Sequence, residues 1–285
     1  MTTKAARLRE LLHRPQIARV MGARDALTAR LVADAGFDGV WASSFELSAS
    51  RGLPDVGLLT MAECLSEAVH IDDATALPLL ADCDTGFGGR ANLVRTVQQY
   101  ERAGIAGVCF EDKVFPKRNS FLEGGQLLED AHEFAARIEA AAQVRSHGDF
   151  TVVARTEALI AGAGMAEALR RAHLYADAGA DALLIHSKRS DAGEIEEFLG
   201  HWRRRLPVVV VPTTYPDWSP ADAAEAGVSM VIYANHALRA AVSAMREVLT
   251  EISLRGGTST VESSIASMKD VFELTGVAQW EGWGG

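Results

Sequence analysis

The residues best suited to chemistry on an anion fall just after apolar runs of strand length. ADCDTGFGG (81–89) sets Asp82 and Asp84 two residues apart, and CFEDK (109–113) adds Glu111. ARTE (154–157) contributes Arg155, and IHSK (185–188) contributes His186. Any one of these positions alone reads as the start of a solvated loop. Together they place three carboxylates, an arginine and a histidine at one set of strand ends, an arrangement that repels itself or costs desolvation unless something organises it. A hard divalent cation does so. Oxygen ligands from Asp82, Asp84 and Glu111 suit Mg²⁺, which keeps several waters and takes one or two carboxylates directly; zinc would want more Cys or His. The planar fork of Arg155 suits paired carboxylate or phosphoryl oxygens, and His186 can give or take a hydrogen bond near neutral pH. The chemistry expected is Mg²⁺-assisted work on a small, highly anionic ligand.

Further polar groups share those strand ends: Trp41, Ser43 and Ser44; Asp112; Glu157; Ser187 and Lys188; Thr213 and Thr214; Asn235 and His236. Two loops add to them. SFELSASRGLPD (44–55) is rich in Ser and Gly and ends in Asp55. EDKVFPKRNS (111–120) leaves the apolar VCF directly into charges and sets Asn119 after Lys117 and Arg118. It continues through NSFLEGGQLLED, where Gly124 and Gly125 could hinge a lid over residues 115–127.

The elements that must position these residues follow from a phrase written four times: ADAGFDGVW (33–41), ERAGIAGVCF (101–110), ADAGADALLI (176–185) and AEAGVSMVIY (224–233). Each is a helix end, a glycine suited to the left-handed residue that closes a helix, and a continuous apolar run of the kind buried on both faces in parallel sheets. IARVM (17–21), PLLAD (78–82), DFTVVAR (149–155) and LPVVVVP (206–212) complete eight strands. Amphipathic segments such as 61–71, 92–103, 129–144 and 166–178 alternate with them. The expected class is α/β, a (β/α)8 TIM barrel. A doubly wound open sheet is second, weakened by the lack of G-x-G-x-x-G after the first strand. The reading takes 1–285 as a single barrel domain with a C-terminal helical extension over 253–285. Helical patterns at 236–252 and 261–274 exceed what a barrel needs, with Ser259 and Glu262 read as a capping box for the second.

Bulk composition sets limits. A net charge of −10 over 285 residues argues against nucleic acid as a partner. Cys64, Cys83 and Cys109 share no metal-type spacing and are expected to be reduced. No apolar run approaches a membrane span. A cytoplasmic enzyme is expected.

DCDTGFG (82–88) followed by EDKVFPKRNS resembles the isocitrate lyase / phosphoenolpyruvate mutase superfamily, and its phosphoenolpyruvate mutase branch in particular. ARTEALIAG (154–162), IHSK, VPTTY (211–215) and YANHALRA (233–240) are similar to that branch as well, and the match runs from about Gly22 to Phe272. The resemblance implies a (β/α)8 barrel, usually tetrameric, whose terminal helix is exchanged between subunits, so a homo-oligomer, dimer or tetramer, is expected. It also implies interconversion of phosphoenolpyruvate and 3-phosphonopyruvate, the P–C bond-forming step of phosphonate biosynthesis. By the same resemblance Asp82 contacts Mg²⁺ directly, and Asp84 and Glu111 act through bound waters. Asp55 accepts or steers the phosphoryl group, while Arg155, Asn119 and His186 hold phosphoryl or carbonyl oxygens. Ser43, Ser44 and Phe45 offer donors to the substrate carboxylate, Trp41 packs beside the three-carbon unit, and Lys117 belongs to the closing loop.

Where the lyase branch has K-[KR]-C-G-H, this chain has Lys117-Arg118-Asn119-Ser120, so the thiol needed for C–C cleavage is absent. Oxaloacetate- or methylisocitrate-type lysis therefore ranks last. Phosphonopyruvate hydrolase is the sibling alternative. SFELSAS and NHALRAAV resemble it at least as well, but its pattern calls for Thr where Asn119 stands. Two departures from the family are Ser44 for a usual Gly, a source of strain if the turn requires φ > 0, and Cys83 for a common Ala.

Overall fold

The four glycines that follow helix ends all adopt left-handed backbone, from φ +76° at Gly36 to +107° at Gly227, and each hands the chain to a strand. The computed structural model describes residues 2–282. Eight strands alternate with helices: β1 (Ala18–Gly22), β2 (Gly39–Ala42), β3 (Leu79–Asp82), β4 (Gly107–Glu111), β5 (Thr151–Thr156), β6 (Ala182–Ile185), β7 (Val208–Val210) and β8 (Met230–Tyr233). All are parallel, each pairs with the next, and β8 returns to β1, so the sheet is a closed barrel. The doubly wound alternative is excluded by that closure.

Alternating strand residues build two cores. Val20, Trp41, Leu80, Cys109, Val153, Leu184, Val209 and Ile232 point inward. Their neighbours, including Val40, Leu79, Val108, Val152, Leu183 and Val208, pack under the helices. Helix α1 (Lys4–His13) plugs the N-terminal end of the barrel with Leu8, Leu11 and Leu12. Gly107 opens β4 there because a Cβ would meet Leu8 at 2.9 Å. The outer ring is α2 (Ala26–Asp34), α4 (Met61–Asp73), α5 (Arg90–Arg102), α6 (Ala131–Val144), α7 (Met165–Asp177), α8 (Gly193–Trp202), α9 (Pro220–Ala226) and α10 (His236–Arg255). Local chemistry starts several of them. Asp25 accepts from Thr28 N at 2.7 Å to cap α2, and Thr60 with Glu63 forms a capping box on α4.

Three expectations need correction. SFELSAS is not loop but helix α3 (Ser44–Ser50), capped by Ser43, whose hydroxyl accepts from Glu46 N at 3.4 Å. Ser44 therefore has helical backbone, is not among the left-handed residues, and carries no strain from replacing glycine. In the extension, α11 begins only at Met268 (Met268–Thr275) and is capped by Ser267 with Asp270. Residues 258–266, including Ser259 and Glu262, form turns instead. A short α12 (Val277–Glu281) follows, and the last three residues of the 253–285 extension lie outside the described residues. Helix α11 rests on α2 of its own chain, where Arg30 Nη1 donates to Leu274 O at 2.8 Å. Among the described residues no helix is long and apolar enough to cross a membrane. All three cysteines are buried and unpaired.

Candidate active site

Strand register decides which charged residues meet. Glu111 and Arg155 are partners across β4 and β5, and Asp82 on β3 lies opposite Cys109, two residues short of Glu111. The C-terminal ends of these strands therefore bring a carboxylate, a guanidinium and a second carboxylate to one rim of the barrel, where barrel enzymes keep their chemistry. Above them opens a cavity of about 440 Å³ lined by Trp41, Ser43, Ser44, Phe45, Asp55, Asp82, Glu111, Lys117, Asn119, Arg155 and His186. Every expected site residue except Asp84 lines it, and Asp84 joins through Lys117.

Lys117 is the hub of the acidic side. Its Nζ lies 2.7 Å from Asp55 Oδ1, 2.7 Å from Asp84 Oδ1 and 2.9 Å from the Ser44 hydroxyl, to which it donates. Ser44 in turn donates to Asp82 Oδ2 at 3.0 Å. The hydroxyl that replaces a usual glycine thus ties the lid lysine to the metal-type carboxylate. Burial works against the charge of Lys117, but Asp84, Asp55 and Asp82 outweigh it and hold the ammonium well above its ordinary range. Asn119 Nδ2 donates to Asp55 Oδ2 at 2.6 Å, and its Oδ1 accepts from Phe121 N at 3.0 Å. The amide is thereby locked with its nitrogen on the Asp55 carboxylate. Asp84 reaches its place through left-handed backbone, φ +49°, a region Asp tolerates.

The opposite wall is organised by Glu157, completely buried at 0% exposure. Its Oε1 pairs with Arg155 Nε, while His186 Nδ1 lies 2.9 Å from Arg155 Nη2 and 3.2 Å from Glu157 Oε1. Arg155 can only donate and ionised Glu157 can only accept, so the two contacts call for opposite tautomers; the shorter, to Arg155, favours a neutral ring that accepts at Nδ1 and carries its proton on Nε2, which has no hydrogen-bond partner among the described residues. The tautomer is assigned by this network. Burial holds the imidazole below its ordinary pKa, Glu157 opposing and Arg155 reinforcing. Burial also disfavours ionised Glu157, yet Arg155 and Lys113 outweigh it and keep that carboxyl well below the usual range.

The metal-type carboxylates behave differently. Burial pushes Asp84 up to about 6, with Lys117 opposing and Asp82 and Asp55 adding to the push. Burial pushes Glu111 up to about 7 against Lys113 and Arg155, and Glu111 Oε1 has no hydrogen-bond partner among the described residues. An all-oxygen donor set with a buried orphan oxygen fits a hard cation. Among the described residues no three metal-type side chains are gathered closely enough to hold an ion by themselves. Ser44 and Phe45 open α3. Ser43 caps the helix by accepting from Glu46 N. Lys188 is exposed, and neither it nor His236 lines the cavity.

Comparison with known proteins agrees with this geometry. Residues 8–253 match the family profile described as Phosphoenolpyruvate phosphomutase. The chain belongs to the phosphoenolpyruvate phosphomutase family. A phosphonopyruvate hydrolase from Variovorax sp. (strain Pal2) is 45% identical over 276 residues, 96% of this chain and 95% of the relative. The crystal structure of a phosphoenolpyruvate phosphomutase from Streptomyces platensis subsp. rosaceus superimposes with a TM-score of 0.96 at 48% identity, covering 97% of this chain and 96% of that one. A phosphonopyruvate hydrolase in complex with oxalate and Mg²⁺ gives 0.93 at 43% identity, covering 99% and 98%. Within this phosphomutase family the shared fold extends to both chemistries. The cavity is also lined by residues that strand-end reading did not reach: Lys113, Ser120, Phe121 and Arg239. An apolar run followed by charge marks a strand end. Nothing comparable marks side chains that a folded-back loop or a helix flank delivers.

Proposed function

We propose that the chain is a phosphoenolpyruvate phosphomutase, moving a phosphoryl group between the enol oxygen of phosphoenolpyruvate and C3 of 3-phosphonopyruvate, with Mg²⁺ as its metal. The observation that carries this reading is Asn119, whose amide donates to Asp55 at 2.6 Å on the wall of the cavity. A lyase needs an acid there to protonate a carbanion, and an amide N–H is far too weak an acid for that. The hydrolase pattern calls for a shorter threonine, which leaves room for water.

Mg²⁺ at Asp82, reached through water by Asp84 and Glu111, would supply positive charge to the enolate that develops as phosphorus departs. The remaining work falls to the protein. The N–H groups of Ser44 and Phe45 and the Ser43 hydroxyl take the substrate carboxylate, and Trp41 forms the apolar floor under its three carbons. Arg155 and the Nε2–H of His186 grip phosphoryl oxygens from one side and Asn119 from another. When the P–C bond breaks, its electron pair stays with pyruvate as the enolate. The PO₃ unit is then taken up by the enolate oxygen, directly or after a stay on Asp55. Positioning and charge stabilisation dominate such transfers, and water must be kept out or the group is lost as phosphate.

Phosphonopyruvate hydrolase is the second reading, favoured by the 45% identical relative. Incubation of phosphonopyruvate with the protein and Mg²⁺ separates the two. The mutase forms phosphoenolpyruvate. Stoichiometric pyruvate and phosphate would establish the hydrolase.

A further inference from the structure

Lys113 is almost wholly buried, at 2% exposure, yet it stands at the root of an exposed loop. It pairs with Leu128 in an isolated antiparallel bridge. Val114 N donates to Leu127 O at 3.0 Å, and Glu129 N to Asp112 O at 2.9 Å. The 114–127 segment is therefore an excursion from a closed neck. An ammonium has three protons, and that of Lys113 meets three acceptors: Arg118 O at 2.8 Å, Ser120 Oγ at 2.6 Å and Glu157 Oε2 at 3.2 Å. Two of the three come from the loop. Ser120 passes its own proton to Glu157 Oε2 at 2.7 Å and receives Arg155 Nη2 at 3.3 Å. Glu157 is fixed from behind, its N donating to Asp112 Oδ1 at 2.8 Å, and Asp112 is held by Arg171 at 3.1 Å and Tyr175 at 2.7 Å. Above the network Phe121 sets its ring edge-on to His186, centroids 6.0 Å apart.

We propose that Lys113 and Ser120 are positioning residues that latch the 114–127 lid, and that through Glu157 the same latch sets Arg155 and His186 for phosphoryl transfer. Lifting the loop would strip a buried ammonium of two acceptors and Glu157 of the Ser120 hydroxyl. A buried charge tolerates such loss poorly. Closure and assembly of the phosphoryl grip are thus one event: the site is complete only when water is shut out. The lyase-type motif has glycine where Ser120 stands, so it lacks this hydroxyl.

The inference rests on the mutase reading only for its product readout; the lid itself is tested without substrate. Trypsin cleavage after exposed Arg118, mapped by mass spectrometry on the native protein, reports opening of the loop. Ser120→Ala and Lys113→Met should each be cut there about tenfold faster, the scale of one lost hydrogen bond to a charged group. Ser120→Thr should restore protection. In turnover of phosphonopyruvate, kcat should fall more than KM rises and the share of phosphate should increase. Ser120→Ala leaves the Lys113–Glu157 pair in place, so it decides the matter even where Lys113→Met folds poorly. Unchanged cleavage after Arg118 in Ser120→Ala would overturn the latch. An unmutated protein that releases only phosphate would overturn the mutase reading and leave the latch to the trypsin result.

Discussion

Asp82 is touched by one hydroxyl, that of Ser44 at 3.0 Å, and by the N–H of Asp84 at 3.3 Å. Its lone pairs are otherwise open to the cavity. Asp82→Ala should abolish Mg²⁺-dependent turnover, whereas Glu111→Gln, which keeps an oxygen to accept from a bound water, should only weaken it. Titration of Mn²⁺ followed by electron paramagnetic resonance checks both without reference to activity. Undiminished metal affinity in Asp82→Ala would move the metal elsewhere. Asn119 makes a separate prediction. Its hydrogen bond to an anionic phosphoryl oxygen is worth about 1.5–3 kcal/mol, so Asn119→Thr should lose roughly one to two decades of mutase rate. The phosphate share of products should rise, and an unchanged product ratio would remove Asn119 from control of the phosphoryl group. Asp82 and Glu111 were legible because each closes an apolar strand, whereas Asn119, farther along the loop after β4, was reached through the motif of that loop. Lys113 and Ser120 were not, because their partners at Glu157 are set by how the loop folds back and not by any period in the sequence.

Helix α3 shows what element-level reading misses. Seven residues rich in Ser look like loop, although Ser43-Ser44-Phe45-Glu46 already carries the S-x-x-E spacing of a helix start. Glu46 does not complete that box. It is fully buried beside Gly22, where a Cβ would meet its Oε2 at 2.6 Å, with the Leu238 backbone N–H and Arg24 as the groups that favour its charge. Burial pushes its pKa from 4.5 up to about 7. A carboxyl raised in the folded state costs nothing below the unfolded value. The cost grows as pH climbs from 4.5 toward 7 and is constant above. Glu46→Gln should therefore match the unmutated protein at pH 4.5 and exceed its stability at pH 8 by up to ~3 kcal/mol. Urea unfolding across that range checks it, and a pH-independent difference would show that burial does not raise the Glu46 pKa in the fold. The eight strands were legible to within two or three residues because continuous apolar runs and helix-closing glycines bracket them. The start of α11 was not, because two Ser-led acidic caps, Ser259–Glu262 and Ser267–Asp270, compete and only folding onto α2 selects the second.

At the scale of the molecule, the chain is acidic at −10 overall, yet Lys113, Lys117, Arg118, Arg155 and Arg239 face Asp55, Asp82 and Glu111 around the cavity. Asp84 and Glu157, paired to Lys117, Lys113 and Arg155, bring the carboxylates level with these cations, so the Mg²⁺ proposed here would be what tips the barrel mouth toward an anionic ligand. Away from it, Leu249, Leu254, Met268, Phe272 and Trp280 expose 66%, 78%, 66%, 49% and 73% of their surface along α10 to α12. Apolar surface of this extent is expected to be covered by a second copy of the chain. The protein should sediment as a dimer or tetramer, and Phe272→Asp combined with Met268→Asp should shift it toward smaller species with its secondary structure intact. A monomeric unmutated protein in analytical ultracentrifugation would contradict this. The central claim is that the barrel returns phosphorus to its own enolate and not to water. Turnover of phosphonopyruvate with Mg²⁺ in ¹⁸O-labelled water, followed by ³¹P NMR, tests it most directly. The account predicts phosphoenolpyruvate without ¹⁸O on phosphorus as the dominant product; phosphate carrying one ¹⁸O, formed as fast as substrate disappears, would contradict it.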